Sequence, residues 1–475
     1  MALDERKREQ LTAFLGGLPT SAAVSLFAAI EADRAAGGDH LPHNELLKDL
    51  RGRLLARGAV LPSRRGDARR LFFTPFEDFY VGERQGRKRP GVIPRSSLAP
   101  IWRLMMRETA LSEAAFAAAA LDEAIKAQRD TADLERSLFI AAEAGLGRVL
   151  DAAMVEGGAR AHICDMLGGD AAFADLQELR RLLAGVEYFN QIQRILQPRA
   201  STISQDDLYA LRSVFLSAHD QSPTLASFLL LAVKGRLEKP WRALGLYYHL
   251  TNSADDRLEA ARDAAAALPE ALFENLESMA RALERDGAAA EKFDAQAGRL
   301  RVGWFADYAD GLAQQAESVG DNVSVNRIAA CRDVAAEAFE RFCELALAAL
   351  REAAPVRQSG GSSILMTRRP DFAAPPSPRI VEQAKEAAML IASATSFAER
   401  LGAAADVAAE IAEDAREKIT AFANDLVTEI RAAEGAERKA AEHMLDQTLA
   451  IAAPLLDREV AGLIRDRGKA AAVAV

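Results

Sequence analysis

The strongest constraint on the fold is a seven-residue repeat of small and apolar side chains near the C-terminal end. Its first positions are Ala384, Ile391, Ala398, Ala405, Ala412, Ile419, Leu426 and Ala433, and a second set follows three residues later at Ala387, Ala394, Leu401, Ala408, Ala415 and Phe422. This spacing is typical of helices that pack along one seam. Because most of these residues are small, each turn buries little apolar area, and the helix needs neighbours on more than one side.

The repeat therefore predicts a long C-terminal helical hairpin rather than a two-stranded zipper. A helix unbroken from Ile380 to Ala433 would span about 80 Å, with Gly402 as a point of interruption. It would fold back through "AAEGAERKA" onto Met444, Leu445, Leu449, Leu455 and Leu456. The predicted seam of this arm includes Ile391, Leu401, Ile419, Phe422 and Leu426. Two interpretations stay open: a helical domain packed on the rest of the protein, or an extended arm for self-association or partner binding.

The chain after Ala110 is also rich in helix-forming residues. Alanine is mixed there with leucine, glutamate and arginine, which have high helix propensity, and strand signals are scarce. Breaks such as "AAGGDHLPHNE", "EGG" and "LGGD" mark helix ends and starts. The sequence therefore predicts a predominantly all-α fold, either a multi-helix bundle or an irregular helical array.

Shifts in composition predict four segments along the 475 residues. Residues 1–100 form a basic N-terminal module of helices with an aromatic and arginine-rich non-helical insert, and residues 101–354 form a helical body. Residues 355–378 hold five of the seventeen prolines together with glycine and serine, which predicts a linker. Residues 379–475 form the alanine-rich, heptad-patterned arm.

Positive charge is concentrated near the N-terminal end. The range 48–107 contains fifteen lysines or arginines and five aspartates or glutamates, so its formal charge is +10 in a chain that carries −10. Within it, "DFYVG" and "GVIP" are predicted to be short extended segments that flank "ERQGRKR" in a small non-helical or β-hairpin insert near 70–95. An exposed basic tip would result. Its candidate binding residues are Arg84, Arg87, Lys88, Arg89 and Arg95.

Two interpretations of this insert compete. In the structural one, aromatic side chains anchor the insert onto helices, and the basic residues pair with acidic side chains or face water. The predicted anchors are Phe72, Phe73, Phe76, Phe79 and Tyr80. In the functional one, the basic segment 48–107 binds phosphate groups of nucleic acid or an anionic membrane surface.

Signals for catalysis or metal binding are weak. The common nucleotide-binding, zinc-peptidase and hydrolase motifs are absent. "HLPHNE" offers His40, His43 and Glu45, but the intervening proline prevents a shared helical face, so we predict no metal site and no cofactor. Acidic pairs begin two predicted helices, in "QDDLYALR" and "NSADDRLEAARD". They could hold magnesium, although acidic residues in a first turn are also what the helix dipole favours.

The segment Leu11 to Ile30 is uncharged, but its sequence lacks the pattern of a signal peptide or a membrane span. Its flank "DERKRE" has no net charge, and glycines and Pro19 interrupt the apolar run. No other run approaches the roughly 20 apolar residues of a membrane helix. The three cysteines have no close spacing, which favours a reducing compartment over a disulfide framework. We therefore expect a cytoplasmic protein without a transmembrane segment.

These patterns together predict a non-enzymatic cytoplasmic scaffold or adaptor that binds other proteins, with possible self-association through 379–475. The first alternative is a protein that binds nucleic acid or an anionic membrane through the basic segment 48–107. The second alternative is an all-helical magnesium-dependent enzyme that uses the acidic helix starts.

Overall fold

A computed structural model of the protein describes residues 18–35, 46–47, 50–51, 54, 66–83, 88–252, 255–289, 293–359, 367–403 and 405–473. The described chain is predominantly helical, with two short strand pairs, which confirms the predicted all-α class. It divides into two compact units, Met1–Gln191 and Ile192–Val475. The predicted boundaries at residues 100, 354 and 378 do not coincide with this division. One helix spans residue 100, and helices on either side of 354–378 pack together.

The first unit is built from short and medium helices. Its helices are α1 (Thr20–Ala35), α2 (Ala68–Phe73), α3 (Arg95–Arg107), α4 (Ser112–Lys126), α5 (Ala132–Val155), α6 (Gly157–Leu167), α7 (Asp170–Leu183) and the greater part of α8 (Val186–Ile195). Two 3₁₀ segments, Thr74–Phe79 and Thr109–Leu111, join α2 to β1 (Tyr80–Val81) and α3 to α4; β2 is Ile93–Pro94. Helix α5 lies at the centre of the unit, because it packs against α4, α6 and α7.

The insert predicted near 70–95 is more helical than the sequence indicated. Asp67 caps α2, since its Oδ1 accepts a hydrogen bond from the Arg70 backbone N–H at 2.6 Å, and Pro75 opens the 3₁₀ segment. β1 and β2 pair in parallel, Tyr80 with Ile93, rather than as a hairpin. Between the two strands, Lys88 forms ion pairs with Asp175 and Glu178 of α7, as described below. These ion pairs hold the chain on α7, so that β2 runs beside β1 and parallel to it.

The second unit contains the longer helices. These are α9 (Gln205–Gln221), α10 (Pro223–Arg236), α11 (Ala243–Thr251), α12 (Asp256–Ala260), α13 (Arg262–Ala265), α14 (Ala267–Ala288), α15 (Ala295–Val319), α16 (Asn322–Glu352), α17 (Pro378–Ala392), α18 (Ala394–Leu401), α19 (Ala405–Ala432), α20 (Gly435–Ala452) and α21 (Arg458–Val473). A 3₁₀ segment, Pro240–Arg242, precedes α11, and β3 (Val356–Ser359) pairs antiparallel with β4 (Thr367–Pro370). Helices α14, α15 and α16 pack on one another.

The heptad-patterned segment forms several helices instead of one long rod. It is interrupted at Ser393 and at Gly402, whose φ of 73° is a left-handed conformation that glycine adopts without strain. Helices α19 and α20 then form the predicted helical hairpin, and α21 packs on both. Because α17 and α18 pack against α15 and α16, the segment does not project as a free arm.

The strand pair within 355–378 is fastened to α19. Arg357 of β3 and Arg369 of β4 both approach the buried carboxylate of Glu429, at 3.5 and 3.4 Å. The Arg357 guanidinium also lies 4.9 Å from the ring centroid of Phe372. The single carboxylate of Glu429 thus contacts both strands, which restricts the motion that a linker would be expected to have. The linker role of 355–378 stays a prediction.

Glu429→Ala should make the β3–β4 pair more sensitive to trypsin. Without this carboxylate, local opening of the strands should be more frequent, and cleavage after Arg357 and Arg368 should accelerate several-fold. Limited proteolysis with mass spectrometry measures the rate. Glu410→Ala, an exposed position of the same helix, is the control. Equal rates in all three proteins would show that Glu429 does not hold the strands.

Candidate functional site

The predicted aromatic anchors form the base of the insert. The four phenylalanines are buried and the tyrosine is half-buried. The ring of Phe72 stacks on Phe139 of α5 at 5.7 Å between centroids, and Phe76 and Phe79 lie edge-on to Phe189 of α8 at 5.8 and 5.4 Å. The structure therefore places these side chains against helices, as the structural interpretation of the insert expects.

Lys88 does not lie at an exposed tip. Its Nζ is 3.0 Å from Oδ1 of Asp175 and 3.0 Å from Oε2 of Glu178, and it donates a hydrogen bond to the Val92 carbonyl at 2.6 Å. Both carboxylates belong to α7 and are buried, and the lysine side chain is only 21% exposed. The prediction of an exposed Lys88 is wrong, because two buried acidic groups require a compensating charge.

The remaining carboxylate oxygens of this Lys88 cluster are also satisfied. Ser97 Oγ donates to Asp175 Oδ2 at 2.7 Å, and the Gly91 backbone N–H donates to Glu178 Oε1 at 3.0 Å. Burial raises the pKa of Glu178, and the Lys88 ammonium and the Gly91 N–H offset part of that rise. All three ammonium protons and all four carboxylate oxygens have partners, so the cluster holds residues 88–97 on α7 and offers no free group to a ligand.

Sequence analysis missed the two acidic members of this cluster. Asp175 and Glu178 are spaced three residues apart, on the same helical face as Leu179 and Leu182, which are buried. The sequence did contain a signal for this cluster, since Asp175 and Glu178 lie on the apolar face of an amphipathic helix. Acidic residues in such positions require a buried cationic partner.

The other predicted tip residues are distributed differently. Arg84 and Arg87 lie outside the described residues, and Arg89 is half-buried. Arg95 is exposed, and its guanidinium lies over the Tyr80 ring, 5.8 Å from the centroid. Burial raises the pKa of Tyr80, as does nearby Glu77, whereas Arg95 lowers it. The Arg95 guanidinium thus lies against the Tyr80 ring, whereas the Lys88 ammonium is paired with Asp175 and Glu178.

The predicted seam residues Ile391, Leu401, Ile419, Phe422 and Leu426 are all buried. Helices α17 and α18 pack against α15 and α16, and α19 packs against α20 and α21. The seam is therefore filled within the second unit. These side chains would be available to another chain only if the helices separated.

The acidic helix starts act as helix caps. Ser204 and Asp207 form a reciprocal capping box at α9. Asp255 caps α12 by accepting from the Arg257 backbone N–H at 2.9 Å, and its Oδ2 lies 2.5 Å from the Arg212 guanidinium. These two interactions lower the pKa of Asp255. Within the described ranges, no three histidine, cysteine or acidic side chains are grouped as metal ligands; His40, His43 and Glu45 lie outside them.

An exposed apolar pair lies on α15. Leu300 is 60% exposed and Trp304 is 46% exposed, and the two side chains are one turn apart on the same face. The Trp304 ring meets the buried Trp241 edge-on, with centroids 5.6 Å apart. Trp241 packs directly over Gly311 of α15, where any Cβ would collide with the indole. This Leu300–Trp304 face therefore rests on a closely packed aromatic support.

Charged side chains flank the Leu300–Trp304 face and are paired with one another. Arg301 pairs with Asp286, and Asp307 accepts a hydrogen bond from Arg400 at 2.5 Å. Arg400 also donates to Asp310 at 2.8 Å. The apolar pair is thus bordered by groups whose charges are largely neutralised.

No known protein family, curated protein or solved structure matches this chain. Among the described helices, none combines the length and the apolar character that a membrane crossing requires.

Proposed function

We propose that the protein is a non-enzymatic cytoplasmic scaffold or adaptor that binds another protein through the Leu300–Trp304 face. The observation that carries this proposal is the half-exposed Trp304 ring, which packs edge-on against the buried Trp241. Tryptophan is strongly enriched among the residues that dominate binding free energy at protein interfaces. A ring that already packs against a neighbouring side chain has less conformational entropy to lose on binding.

The surroundings of the face support this role. Single exposed apolar side chains are common on protein surfaces, but here two adjoin each other over an ordered aromatic support. The paired charges around them resemble the polar rim of a protein interface. The heptad seam is filled within the chain, so a partner that binds the folded protein would use another surface. All three cysteines are free thiols, which fits a reducing compartment.

Trp304→Ala should weaken partner binding by about 30-fold, the equivalent of a 2 kcal/mol hot spot. Full-length tagged protein and variants would serve as baits in a lysate, with quantitative mass spectrometry of the captured proteins. The affinity for a captured partner would then be measured with purified components by calorimetry.

Phe116→Ala is the matched control for this experiment, because Phe116 is an exposed aromatic side chain of the first unit. Proteins captured by wild type and by Phe116→Ala but lost with Trp304→Ala would support the proposal. An unchanged set of captured proteins with Trp304→Ala would refute it.

A further inference from the structure

Two arginines lie opposite each other across the β3–β4 strand pair. Arg357 and Arg369 are partners in the antiparallel register, so their side chains leave the same face of the pair, with Cβ atoms about 4.5–5.5 Å apart. We call these two residues the arginine pair. Like charges directly opposite in a sheet repel each other and destabilise the strands. The arrangement therefore requires negative charge close to both guanidiniums.

Glu429 supplies only part of this negative charge. Its carboxylate lies 3.5 Å from Nη2 of Arg357 and 3.4 Å from Nη1 of Arg369, so two guanidiniums share one carboxylate and the three groups together carry a formal charge of +1. No other carboxylate of a described residue is within ion-pair distance of the arginine pair. Asp371, an acidic residue close to Arg369 in the chain, instead accepts a hydrogen bond from the Ala373 backbone N–H at 3.2 Å.

Most of the hydrogen-bond donors of the arginine pair are unused by the described residues. A guanidinium carries five N–H donors. Arg369 directs one of them to Oε1 of Glu429 at 3.4 Å, and Arg357 donates none to a described residue. These donors are also accessible, because the side chains of Arg357 and Arg369 are 43% and 54% exposed, whereas that of Glu429 is only 9% exposed. A ligand can therefore reach both guanidiniums from the solvent side.

The position of Arg357 is fixed by a second contact besides Glu429. Its guanidinium lies 4.9 Å from the ring centroid of Phe372, which is buried. A cation held over an aromatic face keeps its edges free for hydrogen bonds, because the ring contacts only the flat side of the group. The arginine pair thus presents positive charge and free donors at one place on the surface.

We infer that the arginine pair binds a phosphate monoester. The planar guanidinium matches a phosphate group through two parallel hydrogen bonds. A monoester carries about −1.5 to −2 charges near pH 7 and three acceptor oxygens. One such group can therefore bridge both guanidiniums and neutralise the positive charge that Glu429 leaves. The phosphodiesters of a nucleic-acid backbone carry one charge each and are recognised by longer rows of basic residues.

Two sources can supply this chemistry, a small soluble phosphate ester or the headgroup of a lipid such as phosphatidic acid. The test therefore has two arms, both with the full-length protein. Calorimetry at low ionic strength measures binding of glycerol 3-phosphate. Sedimentation with phosphatidylcholine vesicles, with and without phosphatidic acid, measures binding to the lipid headgroup. Binding in the first arm identifies a soluble ligand, and binding in the second arm alone identifies the lipid.

Replacing both Arg357 and Arg369 by glutamine should weaken binding in the positive arm at least about tenfold, because hydrogen bonds between charged groups are lost on both sides of the phosphate. Arg369→Lys retains the positive charge but not the planar fork. It should weaken binding by about threefold or more while leaving the strands held on Glu429. Circular dichroism and thermal melting would verify that both variants are folded.

The matched control removes two positive charges elsewhere in the second unit. Arg285 and Arg458 are exposed, and their joint replacement by glutamine should leave binding within about twofold of wild type. Equal losses in the two double variants would overturn the inference, because general electrostatic attraction would then explain the binding. Absence of wild-type binding both to glycerol 3-phosphate and to phosphatidic acid vesicles would also overturn it.

Discussion

Phe76→Ala should lower the free energy of unfolding by about 3–5 kcal/mol, because removal of a buried ring leaves a cavity that its neighbours fill only partly. Phe76 is fully buried, and it contacts Phe189 edge-on, which adds an aromatic interaction to the area that the ring buries. This loss is a large fraction of the stability of an ordinary domain. The variant should therefore populate molecules in which the first unit is open.

Phe116→Ala is the control for this prediction, since it removes the same atoms from a ring that is 78% exposed. Its effect should stay within about 0.5 kcal/mol. Urea denaturation followed by circular dichroism compares the two variants, and hydrogen–deuterium exchange locates the change in peptides from 68–107. Similar unfolding midpoints for both variants would mean that Phe76 does not anchor the insert.

Lys88→Met should also destabilise the first unit by about 3–5 kcal/mol near neutral pH, the range for removing one partner of a buried ion pair. The substitution leaves Asp175 and Glu178 buried without their shared cation. Methionine retains much of the apolar volume of the lysine stem, so the loss reports mainly the missing charge and its hydrogen bonds.

The effect of Lys88→Met should depend on pH in a defined direction. Burial already raises the pKa of Glu178 in the native protein, and loss of the ammonium should raise it further. A raised carboxyl pKa favours the folded state below that value and penalises it as pH rises through it. The stability difference from wild type should therefore be largest at about pH 7.5 and should shrink by about pH 5.

Urea titrations of wild type and Lys88→Met at both pH values measure this dependence. Lys126→Met is the matched control, because Lys126 forms an exposed pair with Glu123 one turn away, and surface pairs of this kind contribute little to stability. A deficit that is the same at both pH values would show that packing, and not the buried charge, explains the effect of Lys88→Met.

Several features of the fold could be predicted because they depend on residues close together in the chain. The capping box of Ser204 and Asp207 and the helix end at Gly402 each require only one turn of sequence. The burial of Phe76 and Ile419 follows from apolar character and periodicity. The short helix at Ala68–Phe73 escaped prediction, because its aromatic residues have low helix propensity and its cap, Asp67, is a weak signal by itself.

The sequence by itself determined the helical class, many helix ends and the residues that must be buried, because these follow from backbone preferences and local periodicity. Only the tertiary structure decided which residues the charged and aromatic side chains contact. Gly91 and Glu178 lie 87 residues apart, and Lys88 has the same local sequence whether it faces water or a buried acid. Its partner depends on which helix packs beside it, since electrostatic and apolar contacts act through space and not along the chain.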